Sequence, residues 1–268
     1  LANTVSAGEG ARAGYGFIRQ AWRGAPGALV LSAVAAAAYL YVDFAGLGRG
    51  ALAATLLFSV AVGVIAQGAL LRLALKLDGL GPAGLQWRGL ETRLLGLTLL
   101  TALLFAVVVL VLIIVILCVV LGLSMAGGGR AIVDDADWIA SLGAPGAIAL
   151  VVISLGGAAF IMWLSLRLSL APAATAVAGR IQLLNTFDLT KGRVWPILGA
   201  FIIVGLPIFA IAFVGGALSA MGEGAAPGGA ALAVAVVSGL LTAFVYTPAA
   251  IGLIAYLHGR LAPAGDAR

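Results

Sequence analysis

Between Arg93 and Arg130 the chain runs for 36 residues without a charge, and from Phe105 to Leu121 every side chain is apolar. A helix crossing a hydrocarbon slab of roughly 30 Å needs about 20 such residues, so a run of this kind points to lipid as solvent. Closed barrels also satisfy their backbone groups in lipid, but their strands alternate in polarity over segments of roughly ten residues, and this run does not alternate. Further apolar runs predict spans at Pro26 to Phe44, Ala51 to Leu71, Gly146 to Leu166, Pro196 to Ala220 and Ala230 to Leu257, with the first run extended to Leu94 to Leu123. The expected fold class is therefore all-α, a polytopic membrane helical bundle of about six transmembrane helices. Composition agrees: 63% of the 268 residues are hydrophobic and 9% charged, against roughly 25% charged in a soluble domain.

Three regions follow: a cytoplasmic interfacial amphipathic segment (1–25), a six-helix transmembrane domain (26–257) and a short cytoplasmic tail (258–268). The first span resembles a signal peptide, because Arg19 and Arg23 precede a short apolar run with small residues at Ala36 to Ala38. Polar residues upstream and regular spans downstream favour a retained helix. Of the fifteen Lys and Arg residues, all but Arg49 and Arg130 fall on the side of the first segment. Translocating basic residues is disfavoured, so both termini are expected on the cytoplasmic side of a membrane. The Ala, Gly, Leu and Arg bias suggests a bacterial inner membrane. The opposite side carries Asp43, Asp134, Asp135, Asp137 and Glu223. DDAD lacks calcium-loop spacing and has no histidine nearby, which reads as a solvated acidic loop.

Internal repetition is visible in the elbows. ALLRLAL at Arg72, LSLRLSL at Arg167 and AYLHGRL at Arg260 end alternate spans, and segments pairing an aromatic with Arg precede the others. The chain thus reads as three repeated helical hairpins in one orientation. In the first segment Tyr15, Ile18 and Trp22 share one helical stripe and Arg12, Arg19 and Arg23 a neighbouring one, suited to the acyl boundary and to phosphates respectively. Gly10, Gly14 and Gly16 weaken that helix, so it depends on lipid or on packing.

Arg72 and Arg167 each follow about 20 apolar residues, at head-group level. With Trp87, Arg88, Arg93, Lys191 and Arg193 they are the candidate lipid head-group residues, because a planar guanidinium binds phosphate bidentately. GLGPAG places Gly79, Gly81 and Gly84 in the dinucleotide pattern, but after a helix and with Pro82 inside, which reads as a turn. The one histidine, His258, cannot form a His-rich metal centre or HExxH, and no GxSxG elbow occurs. Neither a catalytic set, a metal site nor a cofactor is expected. Cys118 stands alone, without an intrachain disulfide partner.

The stretch LSLRLSLAPAATAVAGRIQLLNTFDLTKGRVWPILGAFII, with Arg167, Pro172, Thr190, Lys191, Gly192 and Trp195, resembles a segment of the multi-pass membrane domain associated with bacterial glycerophosphodiester phosphodiesterases. The resemblance covers about 40 residues and implies the six-helix plan. Phosphodiester hydrolysis in that family belongs to a separate soluble barrel, so no catalytic residue carries over. Thr190 is suited to cap a helix beginning at Lys191 to Arg193.

The expected function is that of a non-enzymatic integral membrane protein, a lipid-interacting scaffold or accessory subunit of a membrane complex, with a small-solute or lipid transporter as the alternative. Expected partners are anionic phospholipid and a protein subunit or second copy, with no nucleic acid. The topology is testable: cysteines at Arg23 and Gly192 should be shielded from an impermeant periplasmic thiol reagent while one at Gly128 labels. Labelling at Gly192 would overturn the six-span assignment.

Overall fold

A computed structural model of the chain describes residues 6–126, 143–221, 233 and 236–262. Among them every regular element is helical: α1 (Ala7–Gly24), α2 (Pro26–Phe44), α3 (Arg49–Leu75), α4 (Gly89–Ala126), α5 (Gly143–Leu168), α6 (Ala171–Ala178), α7 (Thr186–Leu189), α8 (Val194–Met221) and α9 (Thr247–Leu261). A 3₁₀ turn at Pro82–Gly84 lies between α3 and α4, and a π-helical turn at Thr242–Tyr246 runs directly into α9. Five helical stretches are long and apolar enough to cross a membrane: Pro26–Asp43, Arg49–Leu75, Pro82–Gly122, Gly146–Ala178 and Val236–Leu261. A shorter apolar stretch, Val194–Ala210, lies within α8. The all-α polytopic bundle is thus present. Most boundaries move by a few residues, and two of the shifts bear on the elbows: α3 runs past Leu71 to Leu75, and α4 starts at Gly89 rather than Leu94. Asp134, Asp135, Asp137 and Glu223 lie outside the described residues.

The chain divides into two compact units. One comprises Thr98–Leu166, the C-terminal part of α4 and most of α5. There Leu112 packs against Gly157, Phe160 stacks on Trp163 at 5.8 Å, and Leu99, Leu103, Val152 and Leu155 are exposed, a surface suited to hydrocarbon. The other unit holds the residues up to Leu97 together with those from Arg167 onward. Its interior is built by α1 against α9 and α8, by α2 against α3, and by α6 against α3, around Leu29, Leu70, Leu71, Leu94, Leu170, Ile197, Leu253 and Leu257.

α1 opens on Ser6, whose hydroxyl accepts the Glu9 N–H at 3.1 Å, the expected N-cap bond. Its buried stripe is Gly10, Ala11, Gly14, Phe17 and Ala21, spaced at one helical face. Packing therefore explains Gly10 and Gly14, while Gly16 is exposed. A Cβ on Gly14 would lie 2.5 Å from the carbonyl oxygen of Ala249 on α9, so only hydrogen permits this approach.

Tyr15 and Trp22 do more than fill space. Pro207 lies inside α8, and a proline has no N–H for the carbonyl four residues back, here Ile203. The Tyr15 hydroxyl donates to the Ile203 carbonyl at 2.9 Å. Pro248, at the start of α9, leaves the carbonyl of Phe244 in the same position, and Trp22 Nε1 donates to it at 2.7 Å. Beside it Thr247 Oγ1 donates to the Thr242 carbonyl at 2.8 Å, within the π-helical turn. An unsatisfied carbonyl is costly where water is scarce, and proline in membrane helices is tolerated when a neighbour supplies the missing donor. α1 is that neighbour twice.

Tyr15→Phe and Trp22→Phe should each lower stability in detergent by about 0.6 kcal/mol, and by no more than about 1.7, the average and the upper end for side-chain hydrogen bonds between membrane helices. In a Pro207→Ala background the cost of Tyr15→Phe should shrink, because the new N–H serves Ile203. Equal cost in both backgrounds, read from thermal unfolding, would show that the tyrosine bond does not compensate for the proline.

Candidate functional site

The extra turn of α3 places Arg72 within the helix, and the early start of α4 places Glu91 in its first turn. The two form a buried, bidentate ion pair: Arg72 Nη1 meets Glu91 Oε1, and Nη2 donates to Oε2 at 3.0 Å. Arg72 is 6% exposed and Glu91 fully buried. Glu91 Oε2 also accepts the backbone N–H of Arg88 at 2.9 Å. That is half of a capping box, a carboxylate at the third helical position reaching back to the cap N–H, and it sits where the helix dipole favours negative charge. Gly68, one turn before Arg72, leaves the space that the carboxylate occupies, and a Cβ there would strike Glu91 Oε1. Burying either charge alone would cost several kcal/mol, so each is kept by the other.

The second elbow repeats the reach with different chemistry. Arg167 Nη1 donates to the Phe187 carbonyl at 2.7 Å and to Thr190 Oγ1 at 3.3 Å, and its guanidinium lies 5.9 Å from the Phe187 ring centroid. Arg72 thus reaches 19 residues forward, and Arg167 reaches 20 and 23. Threonines complete the second elbow: Thr175 Oγ1 accepts the Gln182 N–H at 3.0 Å, Thr186 Oγ1 donates to the Leu183 carbonyl, and Thr190 Oγ1 donates to the Thr186 carbonyl. Thr190 therefore ends α7 instead of capping the next helix. α8 begins at Val194, with the Arg193 carbonyl accepting the Ile197 N–H. At the third elbow, Arg260 is exposed and lies 5.5 Å from the Tyr256 ring centroid, while His258 is buried.

The seven candidate head-group residues thus separate. Arg72 is turned inward onto Glu91, against the expectation of a head-group contact, because its terminal nitrogens are satisfied by the carboxylate. Arg167 is half-buried against α7. Trp87, Arg88, Arg93 and Lys191 are exposed and Arg193 is half-buried. Arg88 extends past Gly79, and Arg93 ends beside Gly179 at the end of α6, so the start of α4 and the second elbow share cations. The residues Gly79 to Gly84 form the turn expected of them, with Gly79 and Gly84 at positive φ.

Glu91 carried a sequence signal that composition hides. It is an acid between Arg88 and Arg93 on the basic side of the chain, three residues after the arginine in LQWRGLETR. Removing one partner should expose its importance: Arg72→Gln or Glu91→Gln should each destabilise the protein by about 3 to 5 kcal/mol, while Arg72→Met with Glu91→Leu should recover most of the loss. Single substitutions costing under about 1 kcal/mol, the range of a surface pair, would show the pair to be solvated. Comparison with models of protein families, with curated protein sequences and with solved structures finds no match for this chain.

Proposed function

We propose that the chain is a non-enzymatic bacterial inner-membrane protein, a lipid-interacting scaffold or accessory subunit whose basic elbows hold anionic phospholipid head groups on the cytoplasmic side. The observation that carries this reading is a division of labour among cations. Arg72 and Arg167 are turned into the protein and shape the elbows. Arg88, Arg93, Lys191 and Arg193 have no carboxylate within ion-pair distance among the described residues. Around them Trp87 is 47% and Trp195 81% exposed, and exposed tryptophan beside Arg and Lys is the chemistry of a head-group interface.

The second reading, a transporter of a small solute or lipid, draws on Pro207 and Pro248, since interrupted helices line binding sites in many transporters. Here the carbonyls behind those prolines are taken by Tyr15 and Trp22, which favours a scaffold.

Replacing Arg88, Arg93, Lys191 and Arg193 together with Gln should lower the phosphatidylglycerol retained on purification by tenfold or more, at about 1 kcal/mol per basic residue near an anionic surface. Native mass spectrometry measures the retained lipid, and thermal unfolding checks that the fold persists. Full retention by a stable variant would overturn the proposal.

A further inference from the structure

The outer face of α1 meets the end of α3 in a groove of about 480 Å³ lined by Gly16, Arg19, Gln20, Arg23, Gly24 and Leu73. We infer that this groove is a second anion site, separate from the elbows, which takes the phosphate group of an anionic lipid or of a soluble phosphate ester between Arg19 and Arg23. The two arginines are one helical turn apart, so their Cβ atoms are about 5 to 6 Å from each other and both forks can reach one phosphate. Both are exposed, and neither has a hydrogen-bond or ion-pair partner among the described residues. Like charges at this spacing repel, and the other α1 positions three and four away from either arginine supply no acid: Tyr15, Gly16, Gln20 and Trp22. An anion relieves that repulsion.

The rest of the groove is shaped for a ligand larger than a counter-ion. A Cβ on Gly16 would meet nothing within 4 Å, so the floor is open there, whereas Gly24 closes directly on Leu73. Gln20 Nε2 points to the Leu73 carbonyl at 3.5 Å, which leaves its Oε1 as an acceptor beside the arginines for a head-group hydroxyl or amine. These side chains belong to no ion pair and no proline-capping bond. The groove needs the same class of ligand as the elbows but rests on different residues.

The test uses the purified full chain in micelles doped with phosphatidylglycerol or phosphatidylcholine, with bound lipid counted by native mass spectrometry and inorganic phosphate titrated as competitor. The wild type should prefer phosphatidylglycerol, and Arg19→Gln with Arg23→Gln should weaken the occupancy that survives in the elbow variant by about 30-fold, about 2 kcal/mol from two basic residues. Gly16→Leu, which fills the groove without changing charge, should do the same, while Arg12→Gln, on the same face outside the groove, should not. Phosphate binding that depends on Arg19 and Arg23, without lipid binding, would support the site and assign it to a soluble phosphate. Unchanged binding of both probes by a double variant of wild-type thermal stability would overturn it. The elbow and groove substitutions are also made separately, so loss confined to the elbow variant sinks the groove alone, and loss confined to the groove variant sinks the elbow proposal alone.

Discussion

A proline within a helix leaves a carbonyl with no donor from its own helix, at a cost that rises where water is scarce. α8 and α9 both carry such a notch, at Pro207 and Pro248, and both are closed by α1 through the Tyr15 hydroxyl and the Trp22 indole. The packing of α1 is compatible with these two bonds. α1 delivers donors seven residues apart while lying tight against α9, where Gly14 faces Ala249 with no room for a Cβ and Gly252 receives Phe17. The polar face of the helix is then turned away from the protein, carrying Arg12, Arg19 and Arg23 outward.

Charge is handled by the same logic of satisfying a group before exposing its neighbours. Glu91 neutralises Arg72, holds the N-terminus of α4, and sits in the space that Gly68 provides, so one carboxylate joins the end of α3 to the beginning of α4. The second elbow reaches a comparable geometry with carbonyl and hydroxyl acceptors on α7. Repetition between the two therefore lies in where the arginine reaches, rather than in what it finds. Arg88, Arg93 and Lys191 stay exposed without a carboxylate partner among the described residues, and Trp87 and Trp195 are exposed as well.

Much of the architecture was legible because hydrocarbon imposes a simple rule on sequence: about 20 apolar residues per crossing, with basic residues gathered at the ends. The runs around Phe105 to Leu121 and Ala51 to Leu71 became helices for that reason. The arginines at 72 and 167 were recognisable as elbow residues by their position after an apolar run. Their partners were not. Arg72 and Glu91 are 19 residues apart across a turn, and no periodicity connects them. Thr190 was placed at the wrong end of a helix because a threonine followed by a basic turn reads equally well as a start, and the short α7 that it terminates has too few residues to show a period.

What the sequence determined by itself is the solvent and the class of fold, since apolar run length and the absence of internal charge leave only helices that satisfy their own backbone. What tertiary structure decided is the use of each polar group. Tyr15 and Trp22 share a stripe that suits an acyl boundary, yet they serve two carbonyls 188 and 222 residues away. A hydrogen bond or ion pair depends on distance and direction between groups far apart in the chain, and only the packed helices supply those.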